Sequence, residues 1–304
     1  MDFITHSQPE KAAHSTIGGK AKNLFRLKAL GLPVPEWVVI PQEELAKLVP
    51  EAIQKGEPEK IQVFIQSLTL PLVFLEQIIQ QFPPDTFFAV RSSALDEDGA
   101  DFSFAGQFES HLYVTPARLE EIIKKVWCSA FTARVYEYRR NNKLKPLFGI
   151  AVIIQVLVNA DVAGVAFGMN PATGDRRSKI ISAVYGLGEG LVSGELNSDN
   201  YSFKDNRVIP DIADKTHRFI PLPGTAGGIH KVEVDAAMRK LPCLNDEQVR
   251  ALAAILDQCR EIYGRPQDME FAISQHKIFL LQSRPITNLH KIADPGGEYI
   301  LWDN

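Results

Sequence analysis

The run GIAVIIQVLV, residues 149–158, is almost entirely apolar and rich in β-branched side chains. This composition is typical of a strand that is buried on both faces of a sheet. Further strands are predicted around it at 34–41 (VPEWVVIP), 87–90, 162–169 and 179–184. We expect the segment 162–169 to pair with 149–158, because consecutive strands are usually neighbours.

Helices are predicted between these strands from apolar residues at helical spacing. The segments are 23–30, closed by Gly31; two stretches within 61–82, broken near Pro71; 119–140; and 245–263, capped by Asn245 or Asp246 and closed by Gly264. Because helices and strands alternate along the chain, the fold class is predicted to be α/β or α+β.

Two hairpins are also predicted. One covers 200–209 with its turn at Asp205-Asn206, and the other joins MEFAIS to KIFLLQSRPI through Gln275-His276. Residues after Asn288 lose periodicity and are interpreted as a linker, followed at YILW by the start of an unfinished domain.

The composition excludes several classes of protein. The 304 residues carry a net charge of −4, which gives no support for nonspecific nucleic-acid binding. The three cysteines, Cys128, Cys243 and Cys259, form no CxxC pair, which favours a reducing compartment. No signal peptide and no run approaching the ~18 apolar residues of a membrane span is found. We therefore expect a cytoplasmic protein with neither nucleic acid nor membrane as partner.

The segment AVRSSALDEDGADFSFAGQFES, residues 89–110, combines an arginine, hydroxyls and small residues after an apolar run. Arg91 is predicted at the end of a strand, where its planar fork suits a phosphate. The small residues of DFSFAGQ could fold over a nucleotide. The alternative is an acidic surface loop in which Arg91 pairs with Asp96 or Glu97.

Two glycine-rich segments are weaker indications of a phosphate-binding site. GGKAKN, residues 18–23, is predicted just before a helix, so that backbone amides and Lys20 could meet a phosphate. It lacks the Walker A spacing, and a glycine turn is the commoner explanation. YGLGEGLVSGE, residues 185–195, lacks the dinucleotide spacing, although a loop near a phosphate or metal remains open. His230, in PGTAGGIHKVEV, could be interpreted as a phosphorylated or metal-binding histidine. A glycine turn that enters a strand is the preferred explanation of this segment.

Glu270, Gln282 and Arg284 are predicted to share a face of the C-terminal hairpin. With a turn at Gln275-His276, residues 270 and 282 come nearly opposite each other. Carboxylate and carboxamide oxygens suit Mg²⁺, and Arg284 beside them would neutralise phosphate. The alternative is a surface ion pair between Glu270 and Arg284.

Together these motifs resemble the N-terminal nucleotide-binding domain of the phosphoenolpyruvate synthase and pyruvate phosphate dikinase family. The resemblance extends over about residues 15–290. It rests on GGKAKNL, GLPVPEWVVI, AVRSSALDED, FAGQFES, IIQVLV, GVAFGMNPATGD, ISAVYGLGEGLVSGE, and DMEFAI with LLQSRP, in that order. Rifamycin phosphotransferases share this domain and resemble the chain equally well.

The resemblance implies an α+β ATP-grasp fold over residues 1–290, in which two lobes clamp ATP, with 291–304 as a linker or the start of a following domain. It also implies roles for residues at matching positions: phosphate binding by Lys20 and Arg91, the covering loop by Gly106 and Ser110, the adenine hinge by Gln155, Mg²⁺ binding by Glu270 and Gln282, and contact with the transferring phosphates by Arg284. Arg284, Lys20 and Arg91 would be the catalytic residues.

In the family, ATP phosphorylates a histidine on a separate swivelling domain, which then phosphorylates pyruvate or a drug hydroxyl. This chain has no TSHAA-like histidine motif, so we expect the acceptor and substrate domains to lie elsewhere, in the same longer chain or in a separate one. Three functions stay open: the ATP-binding part of a phosphoenolpyruvate synthase-like enzyme, that of an antibiotic phosphotransferase, and a nucleotide-binding module without turnover.

Overall fold

A computed structural model of the chain describes residues 1–95, 110–141, 148–222 and 228–286. The chain divides into two compact units. The first unit comprises Met1–Phe25, Glu36–Leu157 and Pro223–Gly228; the second comprises Arg26–Pro35, Val158–Leu222 and Ile229–Asn304.

The first unit is built on an antiparallel sheet with strand order β1-β2-β5-β3-β4. Its strands are β1 (Ile4–Thr5), β2 (Trp37–Ile40), β3 (Phe88–Ser93), β4 (Ser110–Val114) and β5 (Ala151–Val156). Strand β5 occupies the centre and is buried on both faces, as its apolar sequence predicts.

One face of this sheet carries the main core of the first unit. Val38, Val90 and Ile154 lie on that face and are fully buried against helices that cover it. The helices of this unit are α1 (Pro9–Ala13), the start of α2 (Gly18–Ala29), α3 (Gln42–Leu48), α4 (Glu51–Gln54), α5 (Pro58–Ser67), α6 (Leu72–Ile79), α7 (Leu119–Ser129) and α8 (Ala133–Asn141), with a 3₁₀ turn at Pro116–Arg118.

The second unit is built on an antiparallel sheet with strand order β13-β12-β6-β7-β8-β9. Its strands are β6 (Val162–Phe167), β7 (Lys179–Tyr185), β8 (Asp199–Lys204), β9 (Arg207–Asp211), β12 (Gln267–Ser274) and β13 (Lys277–Pro285). A separate antiparallel pair joins β10 (His217–Pro221) to β11 (Ile229–Glu233). The helices are α9 (Glu189–Val192) and α10 (Asp246–Tyr263).

The ends of α10 follow the sequence closely. Asn245 and Gln248 form a reciprocal capping box, and Gly264 ends the helix in a left-handed conformation with φ of 68°. Val249, Leu252 and Leu256 are fully buried in a core shared with the sheet. Both predicted hairpin turns are confirmed, since Asp205-Asn206 and Gln275-His276 have positive φ at both positions.

The α+β fold class is confirmed, but three predictions of local structure are wrong. Segment 162–169 does not pair with β5, because β6 lies in the other sheet between β7 and β12. The helix predicted over 119–140 is two helices, α7 and α8, separated at 130–132. Strand β3 extends to Ser93 rather than ending at Val90. The predicted linker after Asn288 lies outside the described residues.

Within the described residues, no single helix is long and apolar enough to cross a membrane, while the bent pair α5 and α6 meets that test by length and composition alone.

Candidate functional site

The start of helix α2 is fixed against the end of strand β3. Gly19 N donates to Ala94 O at 2.9 Å, and Ala21 N donates to Ser93 Oγ at 3.0 Å. Gly18 has φ of +73°, and a Cβ there would lie 2.2 Å from Ser93 O. Glycine is therefore required for this close approach. GGKAKN is thus the start of the helix itself, not a turn before it, and Lys20 lies in the first helical turn.

Arg91 lies within strand β3, not at its end as predicted, because the strand continues for two more residues to Ser93. It pairs with Ile153 of β5 and with Ser110 of β4. Directly opposite residues share a face of a sheet, and residues two apart along a strand do as well. Arg91, Ser93 and Ser110 therefore share the face on which α2 begins.

The pairing of Arg91 with Ser110 depends on a β-bulge in β4. Val114 pairs with Phe88 and His111 pairs with Val90, so β4 contains one extra residue between them. Tyr113 lies in this bulge with φ of 60°, and its ring stacks on Phe87 at 4.2 Å. Regular pairing would place His111 opposite Arg91. Gly106, together with Asp96 and Glu97, lies outside the described residues, so the covering loop and the alternative ion pairs stay predictions.

Gln155 is the buried polar residue of the central strand. It pairs with Trp37 on β2 and Ala89 on β3, and it is 1% exposed. By alternation it lies on the same face as Arg91. Its Nε2 has no hydrogen-bond partner within the described part of the chain. A buried donor without a partner costs about 1–3 kcal/mol. The first unit thus holds an amide that a bound acceptor could satisfy.

In the second unit, Glu270 lies directly opposite Gln282 on the hairpin of β12 and β13. Below them, Phe271 pairs with Leu280, so Leu281 is an extra residue accommodated as a β-bulge. Continuous pairing from the Gln275-His276 turn would place Leu281 opposite Glu270, and Gln282 would then face the core beside Met269. The bulge keeps Leu280 buried in the core and brings Gln282 to the face of Glu270.

Arg284 lies opposite Asp268, the next pair along the same face. Arg284 Nε donates to Asp268 Oδ2 at 2.8 Å. Burial raises the pKa of the Asp268 carboxyl, Arg284 opposes this rise and nearby Glu270 adds to it. The sequence analysis missed Asp268, although a carboxylate two residues before Glu270 must lie on the same face of a strand.

The glycines of YGLGEGLVSGE are explained in part by packing. Gly186 has φ of +75°, and a Cβ there would lie 2.2 Å from Phe219 O. A Cβ on Gly190 would lie 2.5 Å from Leu196 and 2.6 Å from Phe219. Both glycines thus allow β10 to approach this loop closely. His230 is exposed on β11, opposite Ile220.

Within the described residues, no group of three or more His, Cys, Asp or Glu side chains could hold a metal ion. Glu270 and Gln282 nevertheless offer two hard oxygen donors on one face. Mg²⁺ is usually bound by one or two carboxylates together with water and substrate phosphates, rather than by a complete protein cage. The pair therefore fits a magnesium ion whose coordination is completed by a nucleotide.

Curated relatives cover the chain well, while the chain spans less than half of their length. YvkC, an uncharacterized phosphotransferase of Bacillus subtilis, is 36% identical over 100% of the chain and 37% of its own length. A probable phosphoenolpyruvate synthase of Archaeoglobus fulgidus is 35% identical over 90% of the chain and 40% of its own length. A rifampicin phosphotransferase of Bacillus cereus is 32% identical over 97% of the chain and 36% of its own length.

Among solved structures, D-alanine–D-alanine ligase from Bacillus anthracis complexed with ATP covers 88% of this chain and 55% of its own, with 9% identity and a TM-score of 0.34. This likeness is too distant to inform the site.

The family described as pyruvate phosphate dikinase, AMP/ATP-binding domain, matches residues 61–296. The match includes Arg91 and Gln155 as well as the whole hairpin that carries Glu270, Gln282 and Arg284. It confirms the resemblance found in the sequence: the chain belongs to the pyruvate phosphate dikinase AMP/ATP-binding domain family.

Proposed function

We propose that the chain binds ATP with Mg²⁺ and transfers a phosphoryl group to a histidine on a separate domain, as part of a phosphoenolpyruvate synthase-like enzyme. The observation that carries the proposal is the pairing of Glu270 with Gln282, with Arg284 on the same face. A carboxylate, a carboxamide and a guanidinium side by side form a combination suited to metal-bound polyphosphate.

In the first unit, Lys20 and Arg91 are the proposed phosphate contacts. Lys20 would supply a point charge from the first turn of α2, where the helix dipole also favours an anion. Arg91 would supply a planar fork from within the sheet. Ser110 is the first residue of β4 and not part of a loop as expected. From its position opposite Arg91 it would contact the phosphates, next to a covering loop that would contain Gly106. Gln155 would donate from Nε2, which has no partner among the described residues, to the base of the nucleotide.

In the second unit, Glu270 and Gln282 would hold Mg²⁺, which when bound would neutralise phosphate charge. Arg284 would contact the transferring phosphoryl group. Phosphoryl transfer demands in-line positioning and charge neutralisation more than covalent chemistry from the protein. These side chains supply charge and orientation, and the acceptor histidine would come from a partner domain in the same longer chain or in a separate one.

Transfer of the phosphate onward to an antibiotic is the second candidate function. It is favoured by the rifampicin phosphotransferase of Bacillus cereus, to which the chain is similar over 97% of its length. Both candidates use the same ATP site, so they differ only in what the phosphohistidine donates to. Retention of Glu270, Gln282 and Arg284 argues against the third function, a nucleotide-binding module without turnover. The cytoplasmic location stays a prediction.

The test is calorimetric titration of the chain with ATP in the presence and absence of Mg²⁺. We expect binding that strengthens with Mg²⁺. Absence of binding at millimolar ATP would contradict the proposal. A histidine domain from a relative, added with radiolabelled ATP, then reports phosphoryl transfer, and pyruvate or rifampicin added to the phosphorylated domain separates the two candidate acceptors.

A further inference from the structure

Asp268 is a buried carboxylate that the proposed function does not use. It lies two residues before Glu270 on β12, and hence on the same face of the sheet. Its neighbour on the other side is Phe167 of β6, an apolar residue. Burying a carboxylate beside an aromatic side chain is unfavourable unless the charge is paired.

The partner of this carboxylate is Arg284. Arg284 Nε donates to Asp268 Oδ2 at 2.8 Å, while the Arg284 side chain remains 48% exposed. An ion pair with one partner exposed adds little to stability, because water and salt screen it. Stability alone is therefore a weak reason to bury an acid at this position.

The hydrogen bond to Asp268 is made by Nε of the guanidinium. A guanidinium can bind a phosphate bidentately through its two terminal nitrogens. This mode of binding does not use Nε. A carboxylate on Nε fixes the plane of the group while the side chain stays exposed. This geometry suits an arginine that is held in place for an anion.

We propose that Asp268 is a positioning residue, which orients the Arg284 guanidinium beside Glu270 and Gln282 to receive the phosphates of ATP. This inference rests on the proposed function. It assigns to Asp268 no contact with the nucleotide and no bond to the metal. Its effect on ATP binding must then pass entirely through Arg284.

A double-mutant cycle tests this dependence. The affinities of the wild-type chain, Asp268→Asn, Arg284→Ala and the double variant for ATP and AMP are measured by calorimetry with Mg²⁺. We expect Asp268→Asn to weaken ATP binding about tenfold, and to change it less than about twofold in the Arg284→Ala background. AMP lacks the outer phosphates, so its affinity should change less than about twofold in every variant.

The matched control is Asp257→Asn on α10 of the same unit. It removes an acid whose Oδ2 lies 2.8 Å from Lys179 Nζ. It should leave ATP affinity unchanged. If Asp268→Asn fails to fold, as judged by thermal unfolding, Arg284→Lys replaces it. Lysine retains the positive charge but lacks Nε, so the same selective loss of ATP affinity is expected.

Additive losses in the cycle would overturn the proposal, since Asp268 would then act independently of Arg284. Loss of the Mg²⁺ dependence in Asp268→Asn would also overturn it and would make Asp268 a metal ligand. If the wild-type chain shows no Mg²⁺-dependent ATP binding, the proposed function fails and this inference fails with it. If the wild type binds and the cycle is additive, only the inference fails.

Discussion

Glu270 and Gln282 lie directly opposite each other on adjacent strands because Leu281 is accommodated as a β-bulge. In the first unit, the bulge at Tyr113 likewise brings Ser110 opposite Arg91. In both strand pairs one extra residue changes the register. It lies between the turn-side pairs and the polar pair in the second unit, and between Phe88–Val114 and the polar pair in the first. Bulges occur next to active sites for this reason, since they turn a side chain toward another face.

Replacing Glu270 by Gln should weaken the dependence of ATP binding on Mg²⁺. A neutral amide retains the size of the side chain but removes the charge that a divalent cation prefers. We expect the gain in ATP affinity on adding Mg²⁺ to fall about tenfold, a loss of ~1.4 kcal/mol. Calorimetry with and without the metal measures this gain. Glu261→Gln, an exposed acid of α10, is the control, and an unchanged gain in Glu270→Gln would remove Glu270 from the metal site.

The hairpin that carries this pair could be predicted in outline. Two apolar runs around Gln275-His276 gave the strands and the turn, and hence the nearness of residues 270 and 282. The bulge could not be predicted, because LLQ contains no glycine or other local signal for an extra residue. Residues two apart on a regular strand share a face. Leu280 is buried in the core while Gln282 lies on the opposite face with Glu270, so an extra residue is needed between them.

Strand β6 shows a different limit. Its predicted pairing with β5 follows the tendency of consecutive strands to be neighbours, but the chain enters a new sheet after Leu157. Local composition does not indicate such a change, because strands of both sheets are apolar. Candidate residues were easier to identify than pairing. Arg91 stands out as a charged side chain beside an apolar run, and Gln155 was indicated by the family resemblance; the roles of both stay predictions.

Substituting Gly18 by Ala should destabilise the first unit. The added Cβ would lie 2.2 Å from Ser93 O, and the φ of +73° is unfavourable for alanine as well. We expect a loss of about 2–4 kcal/mol in the free energy of unfolding. Gly31→Ala is the matched control, because Gly31 has φ of +70° and no atom of the described residues would lie within 4 Å of a Cβ there. Urea denaturation of both variants separates the close contact from backbone strain, and equal losses would contradict the contact.

Replacing the turn Gln275-His276 by Asn-Gly should stabilise the second unit. Both residues now have positive φ, at 49° and 64°, which Asn and Gly adopt at lower cost. We expect an increase of ~0.5–1 kcal/mol in the free energy of unfolding. Thermal unfolding of the variant measures it. ATP affinity should stay unchanged, because the turn lies beyond the bulge; a loss of affinity would show that the turn influences the polar pair.

Tyr185 should contribute to unfolding at alkaline pH. Burial raises its pKa to about 12, and its hydroxyl donates to Leu241 O at 3.0 Å. The folded state therefore favours the neutral phenol, so its contribution to stability is complete below the unfolded pKa of about 10 and is lost as pH rises toward 12. The stability advantage of wild type over Tyr185→Phe should shrink between pH 10 and 12 in urea denaturation. A constant difference would contradict the raised pKa.

Gln155→Leu should separate ligand binding from stability. Leucine has nearly the same volume and removes an Nε2 that has no partner in the described part of the first unit. The free energy of unfolding without ligand should therefore stay constant or rise by up to about 1 kcal/mol. ATP affinity should fall about tenfold, since the base of the nucleotide loses a donor. Thermal unfolding with and without ATP records both effects at once.

If the variant is destabilised without ligand and its ATP affinity is unchanged, the amide has a structural partner and does not contact the nucleotide. Ala89→Ser, on the strand beside Gln155, serves as the control for small changes in packing on this face.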